Sequence, residues 1–272
     1  MASATTHDIQ FEHPDGAVAT YRAAKAIAWR HLYKWVKQPA NFIPTFLFPL
    51  VFFLSFAGSL NVVRQVPGFD YSPGYPSFIF IFSLLQTCTF GGLATGFTIA
   101  GDFESGFAQR LLLATQSRLA ILLGYLASTF IRAVFMCVVV TLMAFVIGLD
   151  MQGSVADIVF MYLIALTMSL VGTLWASGVM FRGRSAQVAP AMQMPMFIAL
   201  FIAPVFLPRA LLDNWIGTAS KYNPITYLME ADRSLLAGQP DGIGMALAML
   251  AGLIIVFGAW AITGVRSAER AG

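Results

Sequence analysis

The stretch GDFESGFAQRLLLATQSR, residues 101–118, separates two of the most apolar runs in the chain. It carries Asp102, Glu104, Arg110 and Arg118, and Gly101 and Gly106 act as breakers within it. Charges are costly in hydrocarbon, and irregular backbone exposed to lipid has no partners for its polar groups. The island therefore belongs in water while its neighbours belong in lipid. Composition agrees: 58% of the 272 residues are hydrophobic and 11% are charged, against about 25% charged in an ordinary soluble domain.

Working outward from the island, six segments reach the roughly 20 apolar residues that a crossing helix needs. They are 41–60, 77–100, 120–147, 157–181, 187–207 and 243–264. The expected fold is an all-α polytopic membrane protein with one transmembrane domain over 1–272: an N-terminal region 1–40, six spans within 41–264 and a tail 265–272. The first 16 residues contain Asp8, Glu12 and Asp15 and no apolar core, so no cleaved signal is expected. An even number of spans puts both termini on one side. The side with the termini, loop 101–119 and loop 182–186 carries eleven Lys and Arg residues against four on the other, so both termini are expected in the cytoplasm. The net charge of +3 then reflects loop asymmetry, and no nucleic-acid partner is expected.

Residues 17–38 read as an interfacial amphipathic helix. Tyr21, Ala24, Ala28, Leu32 and Trp35 share one face, Arg30, Lys34 and Lys37 the opposite one, and Pro39 ends it. Trp29, Tyr33 and Trp35 are its aromatic anchors. Between the last two spans, residues 208–242 hold two short helical patterns. One places Leu211, Leu212, Trp215 and Ile216 together; the other places Ile225, Leu228, Met229, Leu235 and Leu236 together, interrupted by Asp232. Each is too short to cross, and a re-entrant helical hairpin buried in protein suits them.

Catalytic and metal chemistry lacks parts. All three histidines, His7, His13 and His31, precede the first span, so no His-Glu-x-x-His zinc pair and no intramembrane Ser–His pair is available. No Gly-x-Ser-x-Gly elbow and no Gly-Lys dipeptide occurs, which removes the phosphate loop of an ATPase. Cys88 and Cys137 fall inside apolar runs and read as two buried structural thiols, with a disulfide as the alternative. Arg132 is the one clear intramembrane charge, and a central Arg costs about 2.5–3.5 kcal/mol on insertion scales. It either snorkels or pairs with a neighbouring helix and stabilises packing, or it lines a polar cavity or binds an anionic headgroup.

Three segments together resemble the membrane permeases of ABC-2 type transporters, in particular the short permeases of daunorubicin-resistance-type exporters. The first runs over 102–133: an acidic pair with Ser-Gly at Asp102, Glu104, Ser105 and Gly106, then Leu111 and Leu112, Ser117 and Arg118, Leu123 and Gly124, and Arg132. Next comes YNPITYLMEADRSLLAG, 222–238, with Asn223, Pro224, Glu230 and Arg233 on the expected outer hairpin. The third is KQPANFIPTFLFPLVFFL, 37–54. Gln109 and Arg110 depart from the family pattern, which often has an acidic residue before the Leu pair.

The resemblance implies a permease subunit of the plasma or inner membrane. It implies two separate ATPase subunits that hold ATP and Mg2+, a second permease identical or related to this one, and no cofactor in the chain itself. It also implies outward movement of an amphipathic drug, lipid or glycolipid by alternating access. On that reading Asp102, Phe103, Glu104, Ser105, Gly106, Phe107 and Arg110 form the contact with the ATPase, with Phe103 and Phe107 as apolar anchors. Phe82, Gln86 and Phe90 in the second span would line the pathway with Met192, Gln193, Met196 and Phe197 in the fifth. The alternatives are a polysaccharide-exporting permease of the same architecture and, from another class, a passive channel or scaffold.

Overall fold

The computed structural model describes residues 16–37, 39–59, 66–114, 118–212 and 215–270. His7, His13, Arg64 and Ser117 lie outside the described residues. Ten α-helices and no strand occur among those described: α1 (Gly16–Lys37), α2 (Pro39–Ser59), α3 (Gly74–Glu104), α4 (Phe107–Ala114), α5 (Arg118–Ile147), α6 (Val155–Gly183), α7 (Ala189–Ile202), α8 (Trp215–Ser220), α9 (Pro224–Leu236) and α10 (Ile243–Arg270).

The bundle is organised around α3, which is buried along most of its length and packs most extensively on α6. Small residues let the two backbones approach closely, the usual device where lipid supplies no hydrophobic drive between helices. A Cβ on Gly172 would lie 2.6 Å from the Thr89 carbonyl oxygen, and one on Gly92 would lie 2.8 Å from the Thr173 nitrogen. Across the same contact the Thr173 hydroxyl reaches the Gly92 carbonyl at 3.5 Å. On the other side of α6, Arg182 stacks on Trp260 of α10 at 3.6 Å and donates to the Gly178 and Trp260 carbonyls. The outer helices α5 and α10 turn large apolar side chains outward, among them Ile131, Phe135, Val138 and Leu142 on α5 and Ile255 and Val256 on α10. Such continuous apolar surface suits lipid and not water.

Four helices, α3, α5, α6 and α10, are long and apolar enough to cross a membrane; α2 and α7 hold shorter apolar stretches, Leu47–Ser59 and Ala186–Ile202. The four correspond to the expected spans 77–100, 120–147, 157–181 and 243–264. The stretch expected as a span over 187–207 is instead a 3-10 turn at Ala186–Val188, the 14-residue α7 and an extended segment. Pro204 explains the early stop. A residue before proline is pushed out of the helical region, and Ala203 is extended (φ −62°, ψ 158°).

That stop leaves carbonyls without helical partners, and α9 supplies them. Arg233, 5% exposed, donates from Nη1 to the Pro204 carbonyl at 2.7 Å, from Nη2 to Val205 at 3.0 Å and from Nε to Phe78 at 3.3 Å. Its guanidinium lies 3.4 Å from the Phe78 ring centroid. Asn223 caps α9 through the Ile225 amide at 3.1 Å while its side-chain amide donates to the Ala199 carbonyl of α7. Pro224 occupies the first turn of α9, where its missing N–H costs nothing. Glu230 pairs with Arg209 at 3.2 Å. The expected apolar stripe of Ile225, Leu228, Met229, Leu235 and Leu236 is buried, and so is Asp232 beside it.

Arg233→Met keeps the volume and removes every one of these donors. It is expected to lower stability by about 3 kcal/mol, the cost of stranding buried carbonyls from a charged donor. The thermal unfolding midpoint of the purified chain in detergent reads this directly; an unchanged midpoint would contradict the assignment.

Candidate functional site

At the end of the bundle where α3 gives way to α4, one carboxylate organises its surroundings. The Asp102 side chain has no solvent exposure. Arg30 of α1 grips it with both guanidinium nitrogens, Nη2 to Oδ1 at 2.8 Å and Nη1 to Oδ2 at 3.0 Å. Lys34, one turn along α1, adds a bond to Oδ1 at 3.2 Å, and the Tyr125 hydroxyl of α5 donates to Oδ2 at 3.2 Å. A bidentate guanidinium with two further donors meets the requirement that a buried charge be paired and hydrogen-bonded.

This clamp corrects the expected seating of α1. The helix packs chiefly on α5, through Ile27, Ala28 and His31, and Tyr21 is exposed. Arg30 and Lys34 lie at the packed face and not opposite it, because Asp102 draws them in. Gly124 of α5 makes room: a Cβ there would meet Ile27 at 2.7 Å. His31 is 4% exposed, its ring 4.6 Å from that of Tyr125. Its Nε2 sits 3.5 Å from Asp102 Oδ2, and neither ring nitrogen makes a hydrogen bond. Burial, aided by the nearby Arg30, Arg132 and Lys34 and opposed by Asp102, brings its pKa down to about 4.

The residues expected to meet a partner divide into two sets. Asp102 and Phe103 face inward, a correction to their expected place on the surface: the carboxylate needs its cations, and Phe103 packs edge-on against Phe181 at 5.9 Å. Phe107 is half-buried, with the Arg30 guanidinium 3.5 Å above its ring. Glu104, Ser105, Gln109 and Arg110 are exposed. Gly106 turns the chain between α3 and α4 with a positive φ of 68°, a conformation that favours glycine. Glu104 also accepts from the Ala186 amide at 3.1 Å, which joins this turn to the one between α6 and α7. The end of α10 meets the same corner through Arg118 and Glu269, 2.6 Å apart, and through Arg184, which donates to the Ser267 and Ala268 carbonyls.

Above the clamp lies a groove of about 910 Å3 between α1, α2, α3, α5 and α7. Of the residues expected to line a pathway, Phe90, Gln193 and Phe197 meet there, with the Phe90 and Phe197 rings edge-on at 6.2 Å. Phe82, Gln86, Met192 and Met196 are buried within the bundle instead. Arg132 lines the groove and is held by neutral oxygens: Thr95 Oγ1 at 2.6 Å, Thr129 Oγ1 at 3.1 Å and the Ser128 carbonyl at 3.3 Å. It is thus both anchored to α3 and presented to a cavity. Among the described residues, no cluster of side chains suited to holding a metal ion occurs.

The profile of the ABC-2 type transporter family matches residues 22–237, from α1 to the end of α9. The chain belongs to the ABC-2 type transporter family. No curated protein and no solved structure matches it significantly. The matched region takes in the clamp, the groove and Arg233 with its carbonyl partners. That domain is the membrane-embedded component of a transporter and not its nucleotide-binding subunit, and membership implies an ATPase partner.

The sequence around His31 carries no pattern that marks it as part of the site. For the clamp, the available signal is the spacing of Arg30 and Lys34 one turn apart on α1 together with Asp102 and Glu104 at the end of an apolar run. Because folding lowers the His31 pKa, the unfolded chain binds more protons than the folded one between pH 6.5 and about 4, so stability falls as pH drops through that window. His31→Gln is expected to abolish this component, on the order of 3 kcal/mol at its fullest. Unfolding midpoints at pH 7.5 and pH 5 check it; an equal drop in both proteins would contradict it.

Proposed function

We propose that the chain is the permease of an ABC exporter that moves an amphipathic drug, lipid or glycolipid outward, driven by ATP hydrolysis in a separate subunit. The complex would contain two ATPase subunits with ATP and Mg2+, and two permeases, identical or related. The membrane is the plasma or inner membrane, and the end with the α3–α4 turn is cytoplasmic. The basic side chains Arg110, Arg118, Arg182, Arg184, Arg266 and Arg270 at or near that end support this orientation. Six crossings follow if α2 and α7 also traverse the bilayer. In support, the far end of α2 places the Phe56 ring 4.8 Å from that of Phe206, next to the Val205 carbonyl that Arg233 holds. Likewise α7 runs from the Glu104 corner towards Asn223. On this reading α8 and α9 form a re-entrant hairpin in the outer leaflet, its backbone satisfied within protein.

The observation that carries the proposal is the turn at Gly106, which presents exposed Glu104, Ser105 and Arg110 and is seated directly on the Asp102 clamp. An ATPase surface pressing on this turn would push on α3 and, through Asp102, on α1. A protruding polar turn on a rigid base is a suitable lever, whereas a loose loop would absorb the motion. Phe107 serves the lever from behind by holding Arg30. The groove beside α3 then provides an adaptable apolar route, and Met194 and Phe197 on α7 tolerate varied shapes.

Reversing both exposed charges, Glu104→Lys with Arg110→Glu, leaves the clamp intact. The pair is expected to cut transport-coupled ATP hydrolysis by about tenfold or more, since rim charges set docking and register. The assay is ATP hydrolysis and vesicle export by the reconstituted complex, with co-purification of the ATPase as the binding readout. Full association and full export in the double variant would reject the turn as the contact.

A further inference from the structure

The groove beside Arg132 is lined by charge of one sign, of which the clamp engages only Lys34. Its ionisable lining residues are His31, Lys34 and Arg132, and among the described residues none of the lining is acidic. Asp102 lies below it, spent on Arg30, Lys34 and Tyr125. Arg132 has no carboxylate partner among the described residues; its three bonds go to neutral oxygens and use Nε and Nη2, which leaves Nη1 unengaged. His31 is 4% exposed, lines the same groove and makes no hydrogen bond from either ring nitrogen. Around these donors the walls are apolar and aromatic, with Phe48, Phe97 and Met194 partly open to the surroundings at 40%, 43% and 56% exposure.

A cavity with two cations, an unsatisfied buried donor and no acid attracts an anion, and low-dielectric walls strengthen the attraction. Apolar walls that open sideways reject a small hydrated ion and accept a hydrocarbon chain. We infer that this groove binds a phosphate-bearing lipid, its headgroup on Arg132, Lys34 and His31 and an acyl chain along Phe48, Phe97 and Met194. Phosphate suits the donor set because its several oxygens can take the free edge of a guanidinium, an ammonium and an imidazole N–H together. His31, neutral at cytoplasmic pH, offers that N–H without adding a third full charge to the cavity. The inference deepens the proposed function by naming the substrate class of its route, and it rests on that reading for the lipid's being cargo; binding itself needs neither ATP nor the partner.

The test uses the full chain in phosphatidylcholine nanodiscs, with Trp35, which lines the groove, as the reporter. Phosphatidic acid with brominated acyl chains is expected to quench a component of the fluorescence saturably. That component should disappear in Trp35→Phe and be restored by excess unbrominated phosphatidic acid. Arg132→Gln should weaken the half-saturating fraction by about tenfold or more, the effect of one charge-assisted contact, while Arg132→Lys keeps most of it. If Arg132→Gln does not fold, Lys34→Gln is read in its place. Equal quenching by brominated phosphatidylcholine, displacement by inorganic phosphate alone, or undiminished binding in the folded charge variant would each overturn the inference. A chain that binds the lipid but shows no ATPase-dependent export would leave the site standing and remove the exporter reading.

Discussion

A single carboxylate without solvent access, Asp102, sets the arrangement of one whole end of this membrane domain. A buried carboxylate is tolerable only when charge and hydrogen bonds surround it. Here that condition is met from two other helices, by Arg30 and Lys34 on α1 and Tyr125 on α5. The consequence is geometric. Helix α1, which could otherwise slide or roll on the bundle, is fixed in rotation. The turn that follows Asp102 is held rigid, and His31 is carried into a dry site between them. Phe107 closes the arrangement by stacking on the same Arg30.

The opposite end is built on the same principle with the sign reversed. There the buried charge is Arg233, and its partners are the carbonyls of Phe78, Pro204 and Val205. Pro204 breaks α7 and strands the Pro204 and Val205 carbonyls; Arg233 takes them up and reaches across to the Phe78 carbonyl of α3. Between the two knots the bundle is held by close backbone packing, most tightly where Gly92 and Gly172 meet. Polar specificity thus sits at the ends, and the middle relies on shape. Arg132 is the exception, and its neutral partners and open groove set it apart from both knots.

Much of this was legible in the sequence, for physical reasons. Long uncharged runs can only be helices in lipid, so α3, α5, α6 and α10 were read with ends within a few residues of those observed, apart from α10, which continues to Arg270. The stripe of Ile225, Leu228, Met229, Leu235 and Leu236 marked α9, since helical spacing is a local signal. What failed depended on contacts between distant segments. The wheel of α1 assumed that Arg30 and Lys34 seek water, and nothing local reveals a carboxylate 68 residues beyond Lys34. Phe103 reads as an exposed anchor until Phe181 is seen against it. The expected bounds 187–207 ran past the end of α7 because composition stays apolar beyond Pro204, where backbone sterics and not hydropathy decide.

The central claim is that Arg30 and Asp102 act as one unit holding α1 to the bundle. A double-mutant cycle measures this most directly, with Arg30→Gln, Asp102→Asn and the pair compared in thermal or chemical unfolding in detergent. Strong coupling is predicted: the pair should cost less than the two single changes summed, by about 1.5 kcal/mol or more, since each single change strands the other's charge. Additive effects would contradict the clamp and, with it, the rigid seat assigned to the α3–α4 turn.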